Sequence, residues 1–308
     1  MRRSDLLALV AMMGWGAAYV PSAWLVERWP PLVSAGARLG VAGVLLMAVA
    51  AMSGRGVRPG AGPWAIGWIA LTQGVIFYGT VFWGIAHAGA GLSAVLSNTD
   101  PLFVAVLAAI FLGEHLRRRQ WLGVVLGLVG AAVVAWDGPL WPPAISADAA
   151  LVLGGAAAWG VGTIVATRRV RAAGAPIALA AWQMLLAGVV LAAVGLIGEG
   201  APEPSAAAVG LVLLVAVIGG ALPLALFYVA LTRAPAGEVS AWFFLVPVVG
   251  VLSAWWLLGE TPGVSLVVGM VTVSAGLYLV MAHRSRGGDG LVDSALAVRP
   301  SSKPADRR

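Results

Sequence analysis

Cysteine is missing from this chain of 308 residues, which excludes disulfides and thiolate-ligated metal sites. Charge is scarce as well: Asp, Glu, Lys and Arg make up 10% of the residues, where a soluble domain carries about a quarter. The three histidines, His87, His115 and His283, stand at the ends of apolar runs or in the tail. No His-Glu-x-x-His, no Gly-x-Ser-x-Gly and no carboxylate pair at helical spacing within one run occurs. An intramembrane enzyme thus lacks its usual equipment, and neither a cofactor nor a bound metal is expected. Lysine is nearly absent too, with one against eighteen arginines. Together with abundant Ala and Gly, that bias points to GC-rich coding and a bacterial plasma membrane.

What fills the chain is apolar. Hydrophobic residues reach 60% and the mean hydropathy is +0.94, which is membrane composition. Ten runs are long enough to cross a bilayer. They cover approximately residues 6–25, 32–52, 64–86, 91–112, 120–136, 149–167, 177–197, 206–230, 240–258 and 263–282. The first run is too long for the apolar part of a signal peptide, and Pro21, Trp24 and Glu27 make a poor cleavage site, so it reads as an uncleaved helix. The segment 283–308 mixes Gly, Ser, Pro and charge without periodicity, and reads as a disordered cytoplasmic tail.

The high pI, about 10.7, does not imply nucleic acid, because the basic residues lie between the runs. With the N-terminus inside and the runs alternating, seventeen of the nineteen Lys and Arg residues fall inside. Arg28 alone falls outside, and Arg38 lies within a run. Shifting the count by one run destroys this segregation, so both termini are expected in the cytoplasm.

The two halves echo each other. "GWGAAYV" at 14–20 matches "AWGVGTIVA" at 158–166, and the stretch from Pro31 matches that from Pro176, setting Arg38 opposite Gln183. "DPLFVAVLAAIFLGE" matches "VPVVGVLSAWWLLGE", pairing Pro101 with Pro247 and Glu114 with Glu260. The offset stays between 144 and 146 throughout. Five runs per repeat is an odd number, so the repeats cross the membrane in opposite senses. The expected fold is an all-α integral membrane protein, with inverted five-helix repeats at 6–136 and 149–282.

Two ionisable side chains lie within the runs. Arg38 is about 10 Å and Asp100 about 14 Å from the outer end, at 1.5 Å per residue. Each costs about 2.5–3.5 kcal/mol at a helix centre on insertion scales. Either they pair, if their helices are neighbours, or they face an aqueous cavity and bind substrate. Pro101 and Pro247 cannot donate to the carbonyls of Ser97 and Phe243, so each marks a helix break. "SNTD" brings Ser97, Asn98 and Thr99 to the first of these breaks. Asn98 joins Arg38 and Asp100 as a candidate contact. Gln73 and Gln183 are mid-run amides, suited to gluing helices or to touching substrate. Trp15 and Trp159, repeat partners beside glycines, are candidates for lining a cavity, as are Tyr78 and Trp242. Gly36, Gly40 and Gly43, with Gly123, Gly127 and Gly130, allow close helix approach. Glu114 and Glu260 end their runs at the water boundary and read as structural caps or loop contacts.

The motifs resemble the drug/metabolite transporter superfamily of the EamA type. They are Trp15-Gly16, Pro31 with Arg38, and Pro101 through "FLGE" to Glu114, repeated as Trp159-Gly160, Pro176, and Pro247 through "LLGE". The resemblance covers about residues 6–282. It implies ten helices in two repeats and export of amino acids, drugs or other metabolites. Asp100 departs from the resembling pattern, where an uncharged residue more often precedes the proline. An aromatic cavity with one Arg and one Asp suits a zwitterion such as a neutral or aromatic amino acid. Efflux of a lipophilic cation is the alternative, and a channel is a more distant one. Expected partners are a small-molecule substrate and the lipid bilayer, without nucleic acid, with proton coupling through Asp100. The assembly is expected to be a monomer or a homodimer.

Overall fold

The computed structural model describes residues 3–54, 56–113, 115–136, 145–169, 176–231, 233, 239 and 241–281. Glu114 and the tail from 283 lie outside the described residues. Among the described residues there is no strand. Among the described residues nine helices are long and apolar enough to cross a membrane: Arg3–Val26, Pro31–Met52, Pro63–Ala88, Ala90–Phe111, Arg118–Ala135, Ala147–Ala166, Ile177–Gly198, Ala206–Phe227 and Val264–Met281. A shorter apolar helix, Trp242–Leu258, makes the tenth. They fall on the ten runs expected from composition, and we number them as the first to tenth spans in chain order. The protein is a multi-pass membrane protein. Agreement this close has a physical cause, because a bilayer core demands about 20 apolar residues with every backbone group bonded internally.

The repeats dock through equivalent spans. The second packs along the seventh, and the fifth along the tenth. In the first pair Gly36 meets Ala192 and Gly43 meets Leu185; in the second Gly123 meets Gly276 and Gly130 meets Gly269. One number rises as the other falls, so both pairs are antiparallel, as inverted repeats require. A Cβ added at Gly36 would stand 2.4 Å from the Ala192 nitrogen, and one at Gly276 would stand 2.6 Å from the Gly123 carbonyl oxygen. No such atom fits. With lipid as apolar as leucine, close backbone approach is what holds such helices together. Gly40 differs slightly from expectation: a Cβ there meets nothing, and Gly40 instead supplies the flat surface on which Gly188 closes.

Two carboxylates of the second repeat cap helices of the first. Glu260 accepts from the Ala90 and Gly91 nitrogens at 2.8 and 2.9 Å, at the start of the fourth span. Glu199 accepts from the Leu32 and Val33 nitrogens at 3.0 and 3.4 Å, at the start of the second. A carboxylate at a helix N-terminus satisfies orphan N–H groups and complements the macrodipole. Glu260 is therefore a cap, as its place in the sequence suggests. Glu199 does the same work without any motif to announce it.

Candidate functional site

Proline accompanies irregular backbone in four spans, in three of them away from the ends of the span. In the first, Pro21 follows a break at Ala18 between helices Arg3–Ala17 and Tyr19–Val26. In the fourth, helix Ala90–Ser97 stops, Asn98 and Thr99 turn, and a new helix Asp100–Phe111 starts with Pro101 in its first turn. In the eighth, a π-helical stretch Val217–Ala221 precedes Pro223. In the ninth, a 3-10 turn Ala241–Phe244 leads into helix Leu245–Leu258, which carries Pro247. The third span has a π-helical stretch too, Ala70–Ile76, at the position equivalent to the one in the eighth. Broken backbone at membrane depth is tolerated where protein or a cavity covers it, and it is where transporters place ligands.

At the break in the fourth span, the polar run repairs its own backbone. Ser97 Oγ donates to the Ser93 carbonyl, Asn98 Nδ2 donates to Ala94 at 2.7 Å, and Thr99 Oγ1 donates to Leu96 at 2.6 Å. Tyr19 from the first span closes the group, 2.6 Å from Ser97 Oγ and accepting from Asn98 Nδ2 at 3.1 Å. Asp100 follows directly. It opens the helix Asp100–Phe111, so its carboxylate sits beside its own backbone N–H at the positive end of that helix. It is partly exposed. Its place at a helix N-terminus makes the charge tolerable.

Arg38 takes a different solution. It is 5% exposed, and its guanidinium lies over the Tyr78 ring, 4.4 Å from the centroid, with Phe82 beyond at 5.9 Å. Nη2 donates to the Gly219 carbonyl in the π-helical stretch of the eighth span. Nε is buried without a partner. No ion pair joins Arg38 to Asp100 among the described residues. Their helices take different neighbours: the second span packs on the seventh, third and eighth, and Asp100–Phe111 packs on the sixth. A tyrosine attends each site: Tyr78 lies beneath the Arg38 guanidinium, and Tyr19 bonds Ser97 and Asn98, just ahead of Asp100.

Aromatic rings pack on one another in two groups, one around each of the repeat partners Trp15 and Trp159. Trp159 packs on Phe77 at 4.7 Å and meets Tyr78 edge-on at 6.3 Å. Its repeat partner Trp15 stacks on Phe243 at 5.5 Å and tilts against Phe227 at 5.7 Å. Trp15, Tyr19 and Trp242 pack around one core cluster, and all three are partly exposed. Gln73 is buried, donating to Thr163 Oγ1 at 2.8 Å and to the Trp159 carbonyl at 3.4 Å, so it ties the third span to the sixth. Gln183 is half-buried on the seventh span, and its side chain makes no hydrogen bond among the described residues. A cavity of about 400 Å³ lies elsewhere, where the first, third and ninth spans end. Trp24, Glu27, Ile85, Leu258 and Glu260 line it, and none of the mid-span polar residues does.

Tyr19, Gly219 and Pro223 belong to this region although the residue types most visible in the sequence passed them over. The proline rule that flags Ser97 and Phe243 also flags Gly219, four residues before Pro223, and Ala17, four before Pro21. That signal was available. The position of Tyr19 two residues before Pro21 was the only local pointer to its role.

Comparison with known proteins adds the lineage. The model of the EamA-like transporter family matches residues 2–136 and again 148–282. An inner membrane transporter of Escherichia coli strain K12, YedA, is 30% identical over 87% of this chain and 89% of its own length. A Salmonella typhimurium protein named a probable amino-acid metabolite efflux pump is 26% identical over 90% of this chain and 94% of its own. A solved crystal structure at 17% sequence identity superposes with a TM-score of 0.63, covering 92% of this chain and 99% of that one.

Proposed function

The chain belongs to the EamA-like transporter family, and from that premise we propose that it exports a small zwitterion, a neutral or aromatic amino acid, by alternating access. Residues 6–136 and 149–282 act as the two halves that rock about the mid-membrane site, in the plasma membrane, with both termini in the cytoplasm. The observation that carries this reading is a pair of separated opposite charges. Arg38 and Asp100 each lie within a span without a counter-ion among the described residues, the first against the Tyr78 ring and the second next to the Ser97 and Asn98 that Tyr19 bonds. An α-amino acid carries a carboxylate for Arg38 and an ammonium for Asp100, and its side chain can lie against Trp15 or Trp159. Binding such a ligand neutralises both charges at once. A lipophilic cation would neutralise Asp100 and leave Arg38 uncompensated. The name of the Salmonella relative agrees with this substrate class.

Reconstituted protein loaded with unlabelled phenylalanine should draw in labelled phenylalanine saturably by counterflow. Other neutral amino acids should compete and tetraphenylphosphonium should not. Competition only by the phosphonium would replace this reading with cation efflux, and flux that never saturates would replace it with a channel. Orientation is checked on the same naturally cysteine-free chain. A cysteine at Gly56 should be shielded from impermeant reagents in intact cells and one at Gly200 should react; the reverse pattern would invert the topology.

A further inference from the structure

The Gly219 carbonyl that holds Arg38 is available for a reason written four residues later. In an α-helix the acceptor at 219 would take the N–H of residue 223, and residue 223 is proline. The backbone there widens into the π-helical stretch Val217–Ala221, and the oxygen turns to Arg38 on the second span. Glycine at 219 is needed as well. A Cβ there would lie 2.6 Å from the Ala18 Cβ and 3.2 Å from Arg38 Nη2, in the space the guanidinium occupies. The equivalent place in the first repeat is built differently: Tyr78 stands where Pro223 stands in the second, and that tyrosine supplies the ring beneath Arg38. The cradle is therefore asymmetric, with a ring from one repeat and a carbonyl from the other.

We infer that Pro223 is a positioning residue for substrate, acting through the Gly219 carbonyl to hold Arg38 so that its remaining N–H groups face a substrate carboxylate. The inference rests on the zwitterion reading above. A guanidinium has five N–H donors. Among the described residues one donates to Gly219, and Nε is buried and unpartnered. A neutral carbonyl restrains the head without discharging it, whereas a carboxylate in the same place would quench it. Holding the cation by a carbonyl and an aromatic face leaves its charge for the ligand, in a geometry fixed beforehand.

Restoring an N–H at 223 returns Gly219 to its own helix and frees Arg38 to swing. In proteoliposomes, Pro223→Ala and Pro223→Ser should each raise the half-saturating concentration of phenylalanine about tenfold. Phenethylamine, which has the same ring and ammonium without the carboxylate, should change less than twofold. Because the effect runs through Arg38, adding Pro223→Ala to Arg38→Gln should cost phenylalanine nothing further. Three results would overturn the inference: equal losses for both probes, additive losses in the double variant, or full phenylalanine affinity in Pro223→Ala. If Arg38→Gln alone treats the two probes alike, the zwitterion reading falls and takes this inference with it. If Arg38→Gln discriminates and Pro223→Ala is silent, only the inference falls.

Discussion

Asp100→Asn should abolish accumulation of substrate driven by an imposed pH gradient, while counterflow persists at saturating substrate with a raised half-saturating concentration. Asparagine keeps the shape at the start of helix Asp100–Phe111, and removes both the titrating group and the charge that meets the substrate ammonium. The position is suited to a coupling role because the carboxylate sits at a break, between the Asn98–Thr99 turn and a fresh helix N-terminus. Movement of that turn changes what surrounds the carboxylate, and a group whose surroundings change can take a proton on one side and release it on the other. With one proton exchanged per substrate, a gradient of one pH unit is worth about 1.4 kcal/mol, which is tenfold accumulation. Loss of that tenfold, with exchange preserved, is the expected signature. Gradient-driven accumulation that survives in Asp100→Asn would exclude Asp100 as the proton carrier.

Arg38→Gln should separate substrates by their carboxylate. Hydrogen bonds to charged groups contribute about 1.5–3 kcal/mol, so phenylalanine should bind roughly ten- to a hundredfold more weakly, with phenethylamine little affected. Folding should not suffer to match. A buried arginine costs about 2.5–3.5 kcal/mol to insert, and its removal offsets the bond lost at Gly219. Thermal unfolding of the purified variant should therefore stay near that of the unmodified protein. If Arg38→Gln instead lowers protein yield and thermal stability and weakens both probes together, Arg38 is a structural tie between the second and eighth spans.

Several features were legible in the chain because they depend on local rules. Pro101 breaks the fourth span where its missing N–H says it must, and Ser97, Asn98 and Thr99 bond the carbonyls of that helix end. The glycines of the second and fifth spans mark close approach because only a missing Cβ allows it. Partner choice was less legible. Arg38 and Asp100 sit at depths that would permit an ion pair, yet the arginine turns to a carbonyl 181 residues away and the aspartate to a helix terminus. Gln73 looks from the sequence as free to meet a ligand as Gln183, but a threonine hydroxyl of the sixth span occupies it.

The sequence by itself determined the ten spans, the inverted repeat and the charged residues that need an explanation. A bilayer core filters composition so strictly that length, hydropathy and arginine placement leave few alternatives. Only the tertiary structure decided what each buried polar group faces. That choice depends on how far each helix is rotated and where its backbone widens. Neither quantity is encoded within a single span: the Tyr78 ring, the Gly219 carbonyl and the guanidinium between them come from the third, eighth and second spans, and meet only when both repeats are packed.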